Sequence, residues 1–164
     1  MEFAADLIAN ATSRGIAPED FRLVDAQSVP SLIQECNHAF PDIPLLLWWP
    51  HPKRAVDEPP LDSCASHQFI DQLGYQKIPD LAPHPTERIW MFAENWGKTE
   101  RHGFDALIAF ETTPTHAHDV IGESHGFEYV LVSQTFDWLI AENDHGYLMV
   151  SGDDVVSRLK EIVT

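Results

Sequence analysis

The sequence predicts a single α+β domain: a mainly antiparallel sheet of about five strands, helices from the N-terminal part, and a C-terminal helix packed on one face. Three observations carry this reading. The chain has 164 residues, the size of one core, with 44% hydrophobic residues and five Trp to fill it. Three β-rich runs between residues 128 and 151 are too closely spaced for parallel crossovers, so as consecutive partners they pair antiparallel. An amphipathic run then closes the chain.

Taken in order, residues 1–14 read as a helix, with Phe3, Leu7 and Ala11 four apart and Gly15 placed to end it. Residues 21–24 form a short strand. A second helix is expected over 31–40, entered at Pro30, with Leu32, Ile33, Cys36 and Phe40 on one face. The apolar run 45–49 reads as a buried strand, and the proline-rich stretch 50–60 as a surface loop. Residues 63–73 are expected to be a third helix, stopped by Gly74.

From residue 87 the character changes from helix and loop to strand, so that 1–86 and 87–164 are two halves of one domain. Runs 88–93 and 104–110 are strands joined by the polar segment 96–103, and 113–123 is a short helix behind Pro114. Strands 128–133, 136–142 and 147–151 follow, the last two joined by the turn residues Asn143, Asp144, His145 and Gly146. The closing helix, 153–163, is expected to carry Val155, Val156, Leu159, Ile162 and Val163 on one face, with Asp153 and Asp154 in its positive first turn.

Charge bounds the function. Twenty-six Asp and Glu against ten Lys and Arg give a net charge of −16. Between Arg101 and Arg158 there is no cation at all, while ten carboxylates fall there. Such a field repels nucleic acid and anionic lipid and attracts a basic protein partner, although the same acidity also serves solubility alone. No run approaches the roughly 20 apolar residues of a membrane span. Met1, Glu2 and Asp6 do not resemble a secretory leader, and Cys36 and Cys64 have neither disulfide nor metal spacing, so a cytoplasmic protein with free thiols is expected. No dinucleotide, phosphate-loop or zinc motif calls for a cofactor.

Two patterns invite catalytic readings. Gly122-Glu123-Ser124-His125-Gly126 matches the G-x-S-x-G string of hydrolases, with Asp137 or Asp144 and then His145 following in triad order. That motif needs a strand before the serine and a helix after it, whereas here the order is reversed. His116 and His118 form the densest histidine patch, but two residues apart on a helix they point to different sides. A small hydrolase using Ser124 or a histidine-bound metal is therefore the alternative to a non-enzymatic binder. A ligand-binding or scaffold domain is a third reading.

One internal similarity stands out: Trp90-Met-Phe-Ala-Glu94-Asn95 against Trp138-Leu-Ile-Ala-Glu142-Asn143. Strand alternation puts Trp90, Phe92 and Glu94 on one face, and Trp138, Ile140 and Glu142 likewise. Each glutamate would then lie at the rim of an aromatic face, where desolvation raises its pKa, although coincident strand-end chemistry is the favoured reading of the match. The stretch 129–152, above all 136–146, resembles small bacterial domains of unknown function that share a Trp-Leu-x-x-Glu-Asn strand, a His-containing turn and a terminal helix; this covers about the last 40 residues. In size and charge the chain is similar in outline to immunity proteins that neutralise secreted toxins. The expectation is a partner-binding surface with Glu142, Asp144 and His145 at an exposed tip of a continuous acidic face.

Overall fold

The structure, a computed structural model, describes residues 2–41, 43, 64–69, 73–94, 107–124, 126–143 and 145–164. Its elements are α1 (Glu2–Ser13), a 3-10 turn (Pro18–Asp20), β1 (Arg22–Leu23), α2 (Val29–Ala39), β2 (Cys64–Gln68), a second 3-10 turn (Gly74–Lys77) running into α3 (Ile78–Leu81), β3 (Ile89–Glu94), β4 (Leu107–Thr112), α4 (Pro114–Glu123), β5 (Glu128–Ser133), β6 (Leu139–Glu142), β7 (Tyr147–Ser151) and α5 (Asp153–Val163). The seven strands form one sheet in the order β1-β4-β3-β5-β6-β7-β2, and every pairing is antiparallel.

The five expected strands of the C-terminal half are its centre. β5 is buried along its whole length because both its faces are covered. On one face Ile89, Met91, Tyr129, Leu131, Ile140 and Val150 meet α1, α3, α4 and α5. On the other, Phe92, Val130, Val132, Leu139, Ala141 and Met149 meet α2 through Val29, Ile33, Cys36 and Phe40. Those four recur at intervals of four, three and four residues, the stripe a helix needs to lie on a sheet. The N-terminal helices are thus divided between the two faces, and the C-terminal helix packs on one.

The sheet has two strands more than the expected five, one at each edge, and both come from the N-terminal half. β1 pairs with β4, as the short strand expected at 21–24 suggests. The helix expected over 63–73 is corrected: Cys64–Gln68 is a strand in register with β7 from Ser151 to Tyr147. Five residues of ladder hydrogen bonding outweigh a weak helical pattern in a segment with one buried side chain. The strand expected at 45–49, the loop at 50–60 and the polar connection 96–103 lie outside the described residues.

The hairpin of β6 and β7 turns at residues 143–146, as the sequence predicts, with Leu139 opposite Ser151 and Glu142 opposite Leu148. Asn143 closes it: its Oδ1 accepts from the backbone N–H groups of His145 and Tyr147, both at 3.0 Å. β6 begins at Leu139 rather than 136, because residues 134–137 are spent on the turn that leaves β5. Phe136 takes φ 58° there, and the Ser133 hydroxyl accepts from the Asp137 N–H at 2.7 Å. Gly152, at φ 107°, links β7 to α5 where no other residue fits: a Cβ would stand 2.5 Å from the Asp137 carbonyl oxygen. No described helix is long and apolar enough to cross a membrane.

Candidate functional site

The end of β6, the start of β5, the C-terminal end of α4 and the Gly74–Lys77 turn converge on a pocket of about 210 Å³. Its lining includes Tyr75, Phe127, Tyr129, Ser124, Glu142 and Asn143. Leu73, 41% exposed, also lines it and marks its open side.

Glu142 is the chemical centre. Its residue is only 5% exposed, yet its carboxylate is held by three donors. The Tyr129 hydroxyl, directly across the β5–β6 ladder, donates to Oε2 at 2.7 Å. Backbone hydrogen bonds from Gly74 and Tyr75 reach it from the 3-10 turn. The approach needs a residue without a side chain: a Cβ on Gly74 would lie 2.9 Å from Oε2 and 3.0 Å from Cδ. Burial nevertheless dominates the donors and pushes the Glu142 carboxyl from 4.5 up to about 7. Tyr129, wholly buried beside that carboxylate, is driven well above the ordinary phenol range by burial and then by the neighbouring charge.

Glu142 therefore changes protonation near neutrality inside a pocket, and carries its charge there most readily when a cation or further donor arrives. Of the two readings of the hexapeptide match, desolvation at an aromatic rim rather than coincident strand-end chemistry is the one that describes Glu142. Its expected place at an exposed tip is corrected, because Tyr129 and the Gly74–Lys77 turn cover it. His145 is exposed at the hairpin turn, where its carbonyl accepts from Gln68 Nε2 at 3.1 Å. Asp144 lies outside the described residues.

Asn143 also lines the pocket, with its side chain folded onto the hairpin turn. It is 2% exposed, and with its Oδ1 committed to the turn, its Nδ2 has no hydrogen-bond partner among the described residues. A buried amide donor in that state costs on the order of 1–3 kcal/mol until something accepts from it.

Ser124 also lines the pocket, in a helix-to-strand connection at the end of α4. Its hydroxyl donates to the Val120 carbonyl at 2.7 Å and accepts from Asn10 Nδ2 at 2.8 Å. Neither partner is a base, and the arrangement fastens α1 to α4. His118 Nδ1 meets Asp119 Oδ1 at 3.0 Å, while His116 is half-buried further along the same helix. Among the described residues, no three His, Cys, Asp or Glu side chains gather closely enough to hold a metal. Cys36 is buried against β4 and its neighbours, and its thiol is pushed up to about 12.

Beyond Tyr75 and Gly122, which the two share, the pocket adjoins a shallower groove of about 470 Å³ lined by Arg14, Gln76, His118, Asp119 and Glu123. Arg14 bridges Glu123 at 3.0 Å and Asp119 at 3.5 Å. Arg22 meets Glu111 and Arg158 meets Asp154 in the same way. The cation-free stretch is therefore not a continuous exposed acidic face. Four of its ten carboxylates are paired with arginines from outside it, and Glu128 and Glu142 are buried.

Sequence reasoning reached Glu142 but missed Tyr129, Gly74, Tyr75 and Asn143 as its companions. They come from three separate stretches of chain, and only the pairing of β5 with β6 signalled any of the contacts. No curated protein and no solved structure matches the chain. The family to which it is similar reaches far beyond the C-terminal pattern of about 40 residues, running over residues 8–163. With the second half of α1, both sheet edges and the Glu142 pocket inside that span, the chain belongs to the family of unknown function DUF6756.

Proposed function

We propose that this chain is a non-enzymatic binding protein for a basic polypeptide, and that Glu142 receives one cationic group of that partner. The observation that carries the reading is the carboxylate of Glu142, a buried residue in the lining of a pocket, supported by three donors and still raised to about 7. Such a group is incomplete without a cation. An arriving ammonium or guanidinium offsets the desolvation that holds the proton on, and so gains more here than at an exposed carboxylate.

Size supports a polypeptide over a cofactor. At about 210 Å³ the pocket is smaller than the roughly 300–1,000 Å³ of small-molecule sites, and suits one residue of something larger. The groove beyond Tyr75 gives the rest of such a chain a polar surface to cross. The net charge of −16 steers a basic partner toward the protein from a distance. Asp144 and His145, which follow Glu142 in sequence, are proposed as further contacts.

The test is binding of a peptide panel, constant in length and graded from acidic to basic, by isothermal titration at two salt concentrations. Basic peptides should bind, weaken as salt screens the field, and lose most of their affinity in Glu142→Gln. Equal binding of acidic and basic peptides, or full affinity in Glu142→Gln, would refute the reading.

A further inference from the structure

The pocket holds a carboxylate, yet its side chains have few acceptor sites left to offer. An ionised carboxyl group has about four lone-pair sites. On Glu142 three are taken, by the Tyr129 hydroxyl and by the backbone N–H groups of Gly74 and Tyr75. The Ser124 hydroxyl donates to the Val120 carbonyl and accepts from Asn10 Nδ2, which leaves one lone pair on its oxygen. Asn143 Oδ1 is taken by two N–H groups of the hairpin turn. The other side chains of the lining are apolar or aromatic: Leu73, Tyr75, Ile121, Phe127 and Tyr129.

This count discriminates among cations. A lysine ammonium carries three N–H donors and an arginine guanidinium five. Either would give up its water here for one or two side-chain acceptors, and each donor left over costs desolvation. Replacing N–H by N–CH3 keeps the charge, removes the surplus donors and adds apolar surface. An aromatic lining suits that group, because the negative face of a ring attracts a cation that needs no hydrogen bond.

The place of the pocket in the fold favours a cation independently of Glu142. Ile121, Gly122 and Ser124 bring to the lining the C-terminal end of α4, the negative end of its dipole, and no basic side chain occupies that last turn. Phe127 and Tyr129 stand with ring centroids 6.4 Å apart and planes inclined at 67°. The Tyr75 ring lies against Gly122, where a Cβ would meet its Cε2 at 3.2 Å.

We propose that the pocket takes a methylated ammonium group, as carried by a di- or trimethylated lysine, with its charge at Glu142 and its methyl groups against the aromatic lining. The assignment rests on the binding reading above and specifies which cation enters.

The experiment is calorimetric titration of the whole chain, at about pH 8.5 so that Glu142 is ionised, with one basic peptide in four forms. One lysine of the peptide is unmodified, dimethylated, trimethylated, or replaced by the neutral isostere in which carbon stands for the trimethylated nitrogen. Tetramethylammonium alone is the fifth probe, and separates a free methylated amine from a polypeptide side chain as the source of the group.

The di- and trimethylated peptides should bind at least about tenfold more tightly than the unmodified one and than the neutral isostere. Tyr75→Leu, which keeps the backbone N–H at Glu142 and removes the ring, should narrow the advantage. Tyr129→Phe, which keeps the ring and returns one acceptor site to Glu142, should narrow it by strengthening the unmodified peptide. Tetramethylammonium binding as tightly as the trimethylated peptide would support the same chemistry with a free amine as its source. Equal affinity for the unmodified and methylated peptides would overturn the assignment while leaving recognition of basic polypeptides intact. The neutral isostere binding as tightly as the trimethylated peptide would overturn it as well, the pocket then reading shape without charge. Absence of binding by all five probes would overturn the assignment and the binding reading together.

Discussion

Burying Glu142 has a consequence for stability that can be measured with no ligand at all. Its carboxyl sits at about 7 in the folded chain, against an ordinary value of 4.5 once unfolded. Below the lower value both states hold the proton and the group contributes no pH dependence. Between the two, the unfolded chain has released its proton while the folded chain keeps it, so stability falls as pH rises. Above the higher value both are ionised and the loss is complete. At roughly 1.4 kcal/mol per pH unit, that gap amounts to about 3 kcal/mol, a sizeable part of the stability of a small domain. Tyr129 does not blur the window, since its raised value moves its own titration further toward alkaline pH. Urea unfolding at several pH values between about 5 and 8 reads the effect directly, and Glu142→Gln isolates it from every other titrating group. The variant carries a constant cost, because an amide nitrogen cannot accept from the donors around it, but a constant cost leaves the slope untouched. The wild-type chain should lose about 3 kcal/mol more than the variant across this range. Parallel curves for the two proteins would show that the carboxyl titrates as an exposed one does, and the description of the pocket would fail.

Three further outcomes follow from the geometry. Gly74→Ala should destabilise by about 1–3 kcal/mol in chemical unfolding, because its Cβ meets a carboxylate that three donors hold in place; in a Glu142→Ala background most of that cost should vanish, the coupling being read by a double-mutant cycle. Gly152→Ala combines a left-handed φ of 107° with a 2.5 Å approach to backbone, so a loss of about 3 kcal/mol or more, seen as a lowered Tm, is expected. Ile33→Ala, which empties a fully buried position under α2, should cost about 2–5 kcal/mol if α2 covers the second face of the sheet; a change under 1 kcal/mol on unfolding would place that helix off the core.

The C-terminal half was legible because its signals are local. The Asn143–Gly146 turn, the spacing of three β runs and the stripe of α5 each act within a dozen residues, and the elements form where those signals put them, apart from the three residues that β6 gives up to the preceding turn. The N-terminal half is governed by distant partners. Residues 64–68 are a strand because β7 offers a free edge more than 75 residues away, and nothing in Cys-Ala-Ser-His-Gln announces it. The division of the helices between two faces was hidden for the same reason. An apolar stripe shows that a helix packs, while the side of the sheet it covers depends on the path of the chain. At the site, the aromatic rim signalled the desolvation of Glu142. The donors that keep its carboxylate in place come from a turn 68 residues earlier and from the neighbouring strand, and depend on the assembled sheet.

The two similar hexapeptides show how completely register can separate equal local chemistry. β3 and β6 flank β5 and both run antiparallel to it, so each can be aligned through β5. Val132 of β5 pairs with Trp90 on one side and with Leu139 on the other. The sequence match sets Trp90 against Trp138, one residue away from the alignment the sheet imposes. In a structure of period two, an offset of one sends every side chain to the opposite face. Trp90 and Phe92 accordingly pack toward α2, while Trp138 and Ile140 join the layer of α1, α4 and α5. The two glutamates inherit different surroundings. Glu94 stands opposite Glu128, another carboxylate, whereas Glu142 stands opposite Tyr129, a phenol that donates to it. A carboxylate beside a second carboxylate and one supported by three donors differ in what they can receive. The resemblance between the hexapeptides is therefore one of strand-building residues, and the pocket that it passes beside belongs to Glu142 alone.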